Sequence, residues 1–248
     1  MNIPVYIRRF SSILLLILIW HIAALMWQNS MLPPPNAVVE VIWQEMQSGQ
    51  LWFHLSATLI RVLISFFIAM LVGSIIGIIM GRSRMTDQFL DPWLIVFLNI
   101  PALVIIILAY VWFGLAELTA IFAIAINKIP NVVVTMREGA RTLDEDYQEM
   151  ARSFNLGRRK TLLYITLPQL LPFFAVAARS GIALIWKIVL VVELLGRSDG
   201  VGFQLHLYFQ LFDVTGILAY SLSFILIMLI IEYGLLQPLE RRINRWRG

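Results

Sequence analysis

Cysteine is absent from this chain, and acidic and basic side chains together make up only 14% of it. Without cysteine there is no disulfide framework and no thiolate metal site. The shortage of charge excludes more. Soluble domains are about a quarter charged and about half apolar, whereas 60% of these 248 residues are hydrophobic and the mean hydropathy is +0.82. A water-soluble fold of this length has no place to hide so much apolar area, so the composition points to a lipid bilayer. Other absences narrow the chemistry. No G-x-x-x-x-G-K-[ST] run occurs, so the chain does not cradle a nucleotide in that way. There is no H-E-x-x-H, and His21, His54 and His206 are too scattered for a metal site. No Ser–His–Asp set or carboxylate pair stands out as a reacting constellation. The net charge of +4 is not gathered on an aromatic-interleaved basic patch, which argues against nucleic acid.

What is present is a succession of long apolar runs. A helix needs about 20 mostly apolar residues to cross the hydrocarbon, and six stretches qualify: 10–29, 56–81, 89–113, 117–136, 168–195 and 215–237. The first follows Arg8 and Arg9, but it is longer than a signal-peptide core and no small-x-small site follows it, so it reads as an uncleaved span. Most of the 19 lysines and arginines sit at one set of span ends: Arg82 and Arg84, Arg137 to Lys160, and Arg241 to Arg247. The opposite loops carry only Arg197. By the positive-inside rule, both termini and the long 137–167 loop are cytoplasmic. The expectation is an all-α membrane protein, one domain over 1–248 with its core at 56–237.

Two features lie on the opposite side or within the spans. Pro33-Pro34-Pro35 ends the first helix, and Asn36 is placed to cap a short one with Val38, Val39, Ile42, Trp43 and Met46 at helical spacing. That segment lies along the outer interface or is an ordinary structured loop. In the second span Ala69, Gly73, Gly77 and Gly81 recur every fourth residue, a small-residue face that lets helix backbones approach closely.

Ionisable residues within spans usually face a bundle interior or a water path. Lys128 lies in the fourth span, and Arg179, Lys187 and Glu193 lie in the fifth. Three cations against one anion suggest a route for an anion. The competing reading has Lys128 and Arg61 snorkelling to opposite interfaces and Arg179 and Glu193 tying helices together.

The 137–167 loop is patterned. Leu143, Tyr147, Met150, Ala151 and Phe154 fall on one stripe of a helix. Asp144, Glu145 and Asp146 stand in its first turn and Arg158, Arg159 and Lys160 beyond its end, charges that complement the helix dipole. A short helix over 144–155 is expected outside the membrane, its stripe packed on the chain's own helices or inserted into a partner.

Starting within this helix and running to Pro168, EMARSFNLGRRKTLLYITLP resembles the E-A-A-x3-G-x9-I-x-L-P motif of permease subunits of binding-protein-dependent ATP-binding-cassette importers. Glu149, Ala151, Ile165, Leu167 and Pro168 match at the motif's spacing, while Met150 replaces an alanine and Asn155 the glycine, with Gly157 two residues on. Asparagine tolerates the left-handed conformation that such a helix end requires. LPPP, HLSATLIRVL, LDPWLIVFLNIP, WFGLAE, VVELLGRSDGVG and LERRINRW are similar to the branch importing nitrate, sulfonates, taurine and bicarbonate.

The resemblance implies a MetI-like, type I importer permease fold in the bacterial inner membrane. It also implies a homodimer with a second copy of the chain, two ATPase subunits that bind ATP and magnesium, and a periplasmic or lipid-anchored substrate-binding protein. The chain itself holds no cofactor and is no enzyme alone. Coupling to the ATPase falls to Leu143, Tyr147, Glu149, Met150, Ala151, Phe154, Asn155, Gly157 and Pro168. A stand-alone secondary transporter is the alternative, although that class favours a longer chain with inverted repeats.

Overall fold

The structure, a computed structural model, describes residues 5–27 and 31–238. Arg241, Arg242, Arg245, Arg247 and the LERRINRW segment lie outside the described residues, and of Arg8 and Arg9 only the backbone is described.

Long β-branched and leucine-rich stretches become helices because a chain in hydrocarbon must satisfy every backbone group internally. Helix α1 (Val5–Trp27) runs into α2 (Pro35–Gln47), then α3 (Gln50–Arg82), α4 (Arg84–Asn99), α5 (Ala102–Phe113) and α6 (Glu117–Arg141). Beyond the loop come α7 (Glu145–Ser153), α8 (Arg158–Thr161), a π-helical turn (Leu162–Thr166) leading into α9 (Leu167–Gly196), then α10 (Val201–Gln210) and α11 (Val214–Ile231). At 33 residues α3 is about 50 Å long.

Among the described residues four helices are long and apolar enough to cross a membrane: α3, α6, the Arg158–Gly196 run and the helix from Val214. The expected third span is not one straight helix. Ile100 is extended and Pro101 follows it, so α4 and α5 meet at 96° and form at most one bent crossing. The residue before a proline is driven out of the α region, which is the physical reason for the break. Helix α1 stands at the edge of the bundle, with Trp20 Nε1 donating to Pro33 O at 3.0 Å. The helix runs for 23 residues, and its apolar part with described side chains is Ser11–Trp27. Of the six expected crossings, four stand as single helical runs, the third is the bent pair, and the first corresponds to the peripheral α1.

The outer short helix exists, but Asn36 does not cap it. Pro34 occupies the cap position and Pro35 the first turn, where a missing N–H costs nothing. This helix packs on α11, with Tyr220 donating to Glu45 Oε2 at 2.6 Å.

Among the described residues four apolar clusters hold the bundle, the smallest of them Met80, Leu94 and Val133 between α3, α4 and α6. Val62, Ile106, Ile124, Ile185 and Val189 join α3, α5, α6 and α9. Leu51, Leu55, Val201, Tyr220 and Phe224 join α3, α10 and α11. Nearer the 137–167 loop, Met70, Val132, Met136 and Leu170 close the α3–α6–α9 seam. In lipid such packing is stabilised by van der Waals contact and close backbone approach rather than by expulsion of water. Gly73 and Gly77 make the approach possible: a Cβ on Gly73 would lie 2.6 Å from Val132 Cβ, and one on Gly77 would lie 2.7 Å from Val133 O. A Cβ on Gly81 would lie 2.6 Å from Arg137 O, and Ala69 is fully buried on the same face.

Candidate functional site

Helix α7 is built from its own end signals. Asp144 stands at the cap and its side chain accepts from Asp146 N at 2.9 Å, with Glu145 and Asp146 in the first turn. At the other end Leu156 N donates to Ala151 O at 2.9 Å and Asn155 N to Arg152 O at 3.0 Å. This is the paired bonding of a Schellman end, which needs a left-handed residue at the position Asn155 fills, and Asn155 has φ +49°. Asparagine thus takes the backbone conformation of the glycine it replaces.

The five residues read as one stripe divide. Ala151 is buried and Leu143 half-buried against the Met70–Leu170 cluster, whereas Tyr147, Met150 and Phe154 are exposed, Phe154 by 74%. The helix is too short and too loosely seated to bury a full stripe. Two polar bonds hold its inner side: Gln148 Nε2 to Thr166 Oγ1 at 3.5 Å, and Asp144 N to Gln169 Oε1 at 3.0 Å. Glu149 is exposed beside Arg82 and Arg152, Gly157 opens α8, and Pro168 sits in the first turn of α9. An apolar, aromatic-bearing surface facing water at this place has the character of a docking face.

At the far end of the bundle a second constellation forms around Arg61 of α3, which is 1% exposed. Its Nε and Nη2 donate to the two oxygens of Glu117 at 2.7 and 2.8 Å, and Nη1 donates to Glu193 at 2.8 Å. Asp199 closes the ring through its carboxylate on Nη2. Glu193, with no exposed area, also accepts from Thr58 at 2.9 Å and from Gly202 N at 2.8 Å. Arg197 pairs with Glu117 at 2.8 Å, and His54 accepts from Gly200 N at 3.1 Å. The result ties α3, α6, α9 and the 197–202 turn together.

This geometry corrects one expectation. Arg61 does not snorkel outward; three carboxylates surround it. Glu193 has its oxygens taken up by Arg61, Thr58 and Gly202, as the competing reading of a tie between helices has it. Sequence reasoning missed Glu117 and Asp199 as partners. The available signal was a lone arginine and several carboxylates near the same ends of three spans.

The remaining three cations are not brought together. Lys128 is 1% exposed and its Nζ finds no hydrogen-bond partner among the described residues. It lies against α9 where Gly181 leaves room, since a Cβ there would be 3.1 Å from Lys128 Cε. It does not snorkel toward the loop. Arg179 and Lys187 are exposed on α9, with Arg179 reaching Glu232 at 3.5 Å. Near the loop end of the bundle Arg137 pairs with Asp91 at 2.5 Å and with Asp87 at 3.3 Å, fastening α4 to the end of α6.

Comparison with known proteins gives a consistent answer. Residues 69–245 match the family described as binding-protein-dependent transport system inner membrane component. The aliphatic sulfonates transport permease protein SsuC of Escherichia coli is 35% identical over 190 residues, covering 76% of this chain and 72% of that one. The taurine transport system permease protein TauC of the same organism is 29% identical over 235 residues, covering 92% and 85%. The nitrate import permease protein NrtB of Synechocystis is 30% identical over 209 residues, covering 81% and 76%. Among solved structures, an inward-facing MetNI methionine ABC transporter aligns over 82% of this chain and 98% of its own, with a TM-score of 0.67 at 13% identity. An amino acid ABC transporter aligns over 80% and 96%, with a TM-score of 0.64 at 20% identity. At these identities the structural likeness is one of fold.

Proposed function

We propose a solute and a coupling route for this chain, which belongs to the family of binding-protein-dependent transport system inner membrane components. It is an inner-membrane permease subunit of an ATP-binding-cassette importer, of the sulfonate, taurine and nitrate branch. The solute is a small anion of that chemistry. Two copies of the chain form the channel, two ATPase subunits bind ATP and magnesium, and a substrate-binding protein delivers the solute on the outer side. Both termini and α7 are cytoplasmic.

The observation that carries the coupling route is α7 itself. Its Tyr147, Met150 and Phe154 face water while Ala151 holds it to the bundle, so a partner's groove can grip the exposed side and move the permease through the buried one. Moving a two-state population from 1:99 to 99:1 takes about 5.5 kcal/mol of differential interaction. A docked aromatic–methionine face supplies interactions of that order when each large side chain contributes about 1.5–3 kcal/mol on burial. For the solute, Lys187 and Arg179 on the exposed side of α9, with the unpaired Lys128 behind α9, supply positive charge and little that would attract a cation.

The test is co-purification and transport together. Ala151→Glu places a charge where α7 meets the bundle, and Glu149→Arg reverses a charge beside the exposed face. Both are expected to abolish ATPase retention or ATP-dependent uptake while the permease stays folded. Uptake by the chain alone in liposomes without ATP or partners contradicts the reading and favours a secondary transporter.

A further inference from the structure

The inner side of α7 borders a cleft of about 590 Å³, of whose lining the coupling route uses only Ala151. Arg82 at the end of α3, Arg152 in the last turn of α7 and Arg158 at the start of α8 all line it, joined by Gln148, Thr161 and Thr166. No Asp or Glu lines it. Across α7 a neighbouring cleft shares Arg82, Gln148 and Arg152 and adds Arg141, but it also contains Glu145 and Glu149, so the excess of positive charge is smaller there. None of the three arginines has a carboxylate partner among the described residues, in contrast to Arg137 and Arg141 nearby, which are engaged with Asp87, Asp91 and Glu138.

Positive charge at cytoplasmic span ends is expected in general. That general bias does not by itself bring three arginines, all exposed and from three separate segments, to the rim of one cleft that also carries an amide and two hydroxyls beside Ile78, Leu156 and Leu162. Guanidinium groups match tetrahedral oxyanions through paired N–H donors, and several converging arginines recognise phosphate or sulfonate far better than single ones.

We infer that the cleft between α7 and the ends of α3 and α8 binds an oxyanion of the phosphate or sulfonate class from the cytoplasmic side. The bound anion bridges Arg152 of α7 to Arg82 and Arg158 of the bundle. Helix α7 is otherwise fastened by Ala151 and two polar bonds, so such a bridge stiffens its seat. On 3.6 residues per turn, Gln148, Ala151 and Arg152 point about 120° away from Tyr147, Met150 and Phe154. Anion and partner are therefore accommodated at once. This consequence for coupling rests on the proposed role of α7, whereas anion binding itself does not. The anion is either free in the cytosol or the phosphate of an anionic lipid headgroup, and the chemistry is shared.

The experiment uses the full chain purified with its ATPase partner, titrated calorimetrically with sodium sulfate and with inorganic phosphate at constant ionic strength in chloride. Wild type, Arg152→Gln, Arg158→Gln and the outlying Arg84→Gln are compared, with elution volume and helical circular dichroism as checks of folding. Saturable binding is expected, weakened about tenfold by either cleft substitution and unchanged by Arg84→Gln, as expected for loss of one charge-assisted contact. Arg152→Lys, which keeps the charge without the paired donors, is expected to fall between. Repeating the titration in phosphatidylglycerol and phosphatidylcholine nanodiscs separates the sources. Binding suppressed by phosphatidylglycerol identifies the headgroup, and binding equal in both identifies the free ion. Equal sulfate affinity in all variants, or no saturable binding in either lipid, overturns the inference and leaves the permease assignment untouched.

Discussion

Replacing Glu193 by alanine removes the most deeply buried of the three carboxylates that surround Arg61. The three differ in burial, and burial sets the size of each effect. Breaking a buried ion pair by deleting one partner costs about 3–5 kcal/mol, because it strands the other charge away from water. Arg61 keeps Glu117 and Asp199, which pulls the figure toward the lower end. The same deletion orphans the Gly202 N–H, a penalty of about 1–3 kcal/mol, and returns the Thr58 hydroxyl to its alternative acceptor, His54 O. Together these place Glu193→Ala near the top of the 3–5 kcal/mol range. Glu117 is 44% exposed, so water screens its bond to Arg61, and Glu117→Gln is expected to cost about 1 kcal/mol or less. Equilibrium unfolding of the purified chain in mixed micelles, read by helical circular dichroism, ranks the two directly. Because the Glu193 contacts fix the 200–202 turn, Glu193→Ala is also expected to open that turn to protease while the Arg158–Thr166 region keeps its protection. A Glu193→Ala cost no larger than that of Glu117→Gln refutes the argument that this cluster is a buried tie.

Gly77→Leu is expected to destabilise the chain by about 1–3 kcal/mol or to prevent folding, because its Cβ would sit 2.7 Å from a backbone oxygen that cannot give way; the midpoint of unfolding in detergent checks it, against an exposed Gly157→Ala control. Asn155→Val forces a β-branched residue into φ +49° and is expected to cost about 1–3 kcal/mol, concentrated in α7, whereas Asn155→Gly is close to neutral; hydrogen exchange of residues 145–156 reports this. Lys128→Met keeps the volume and removes a buried, unpartnered ammonium, so the unfolding midpoint is expected to rise while uptake of a sulfonate falls. A rise in stability with full uptake would restrict Lys128 to packing.

Helix α7 was legible in the sequence because its signals are local: an acidic cap, a basic end and an asparagine where a left-handed turn is needed all lie between Asp144 and Lys160. The direction of its side chains was not, since only the bundle's outline decides that Ala151 faces in and Phe154 out. The small-residue ladder Ala69–Gly81 was legible for the same local reason, and its partner on α6 was not. The bend at Ile100 was within reach through Pro101, but a continuous apolar run on both sides hides a break from any test based on hydrophobic length. The cap of α2 was misassigned to Asn36 because a proline one residue earlier starts a helix without a side-chain cap. Of the Arg61 cluster only the candidates were legible, a lone arginine and several carboxylates near the same ends of three spans, because their pairing depends on the relative depth of three helices. Charges that cancel in space look like free charges along the sequence, and this is how Glu193 came to be read as part of an anion path.

The absence of cysteine makes the central claim directly measurable, since a single Phe154→Cys substitution creates the only thiol in the chain. In inner-membrane vesicles holding the transporting complex, a short cysteine-specific, photoactivated cross-linker on Cys at this position is predicted to capture the ATPase subunit, with a yield that changes when ATP is added. The same label at Phe212, in the turn between α10 and α11, is predicted to capture none. A complex that transports normally while the label at position 154 captures no ATPase contradicts the account.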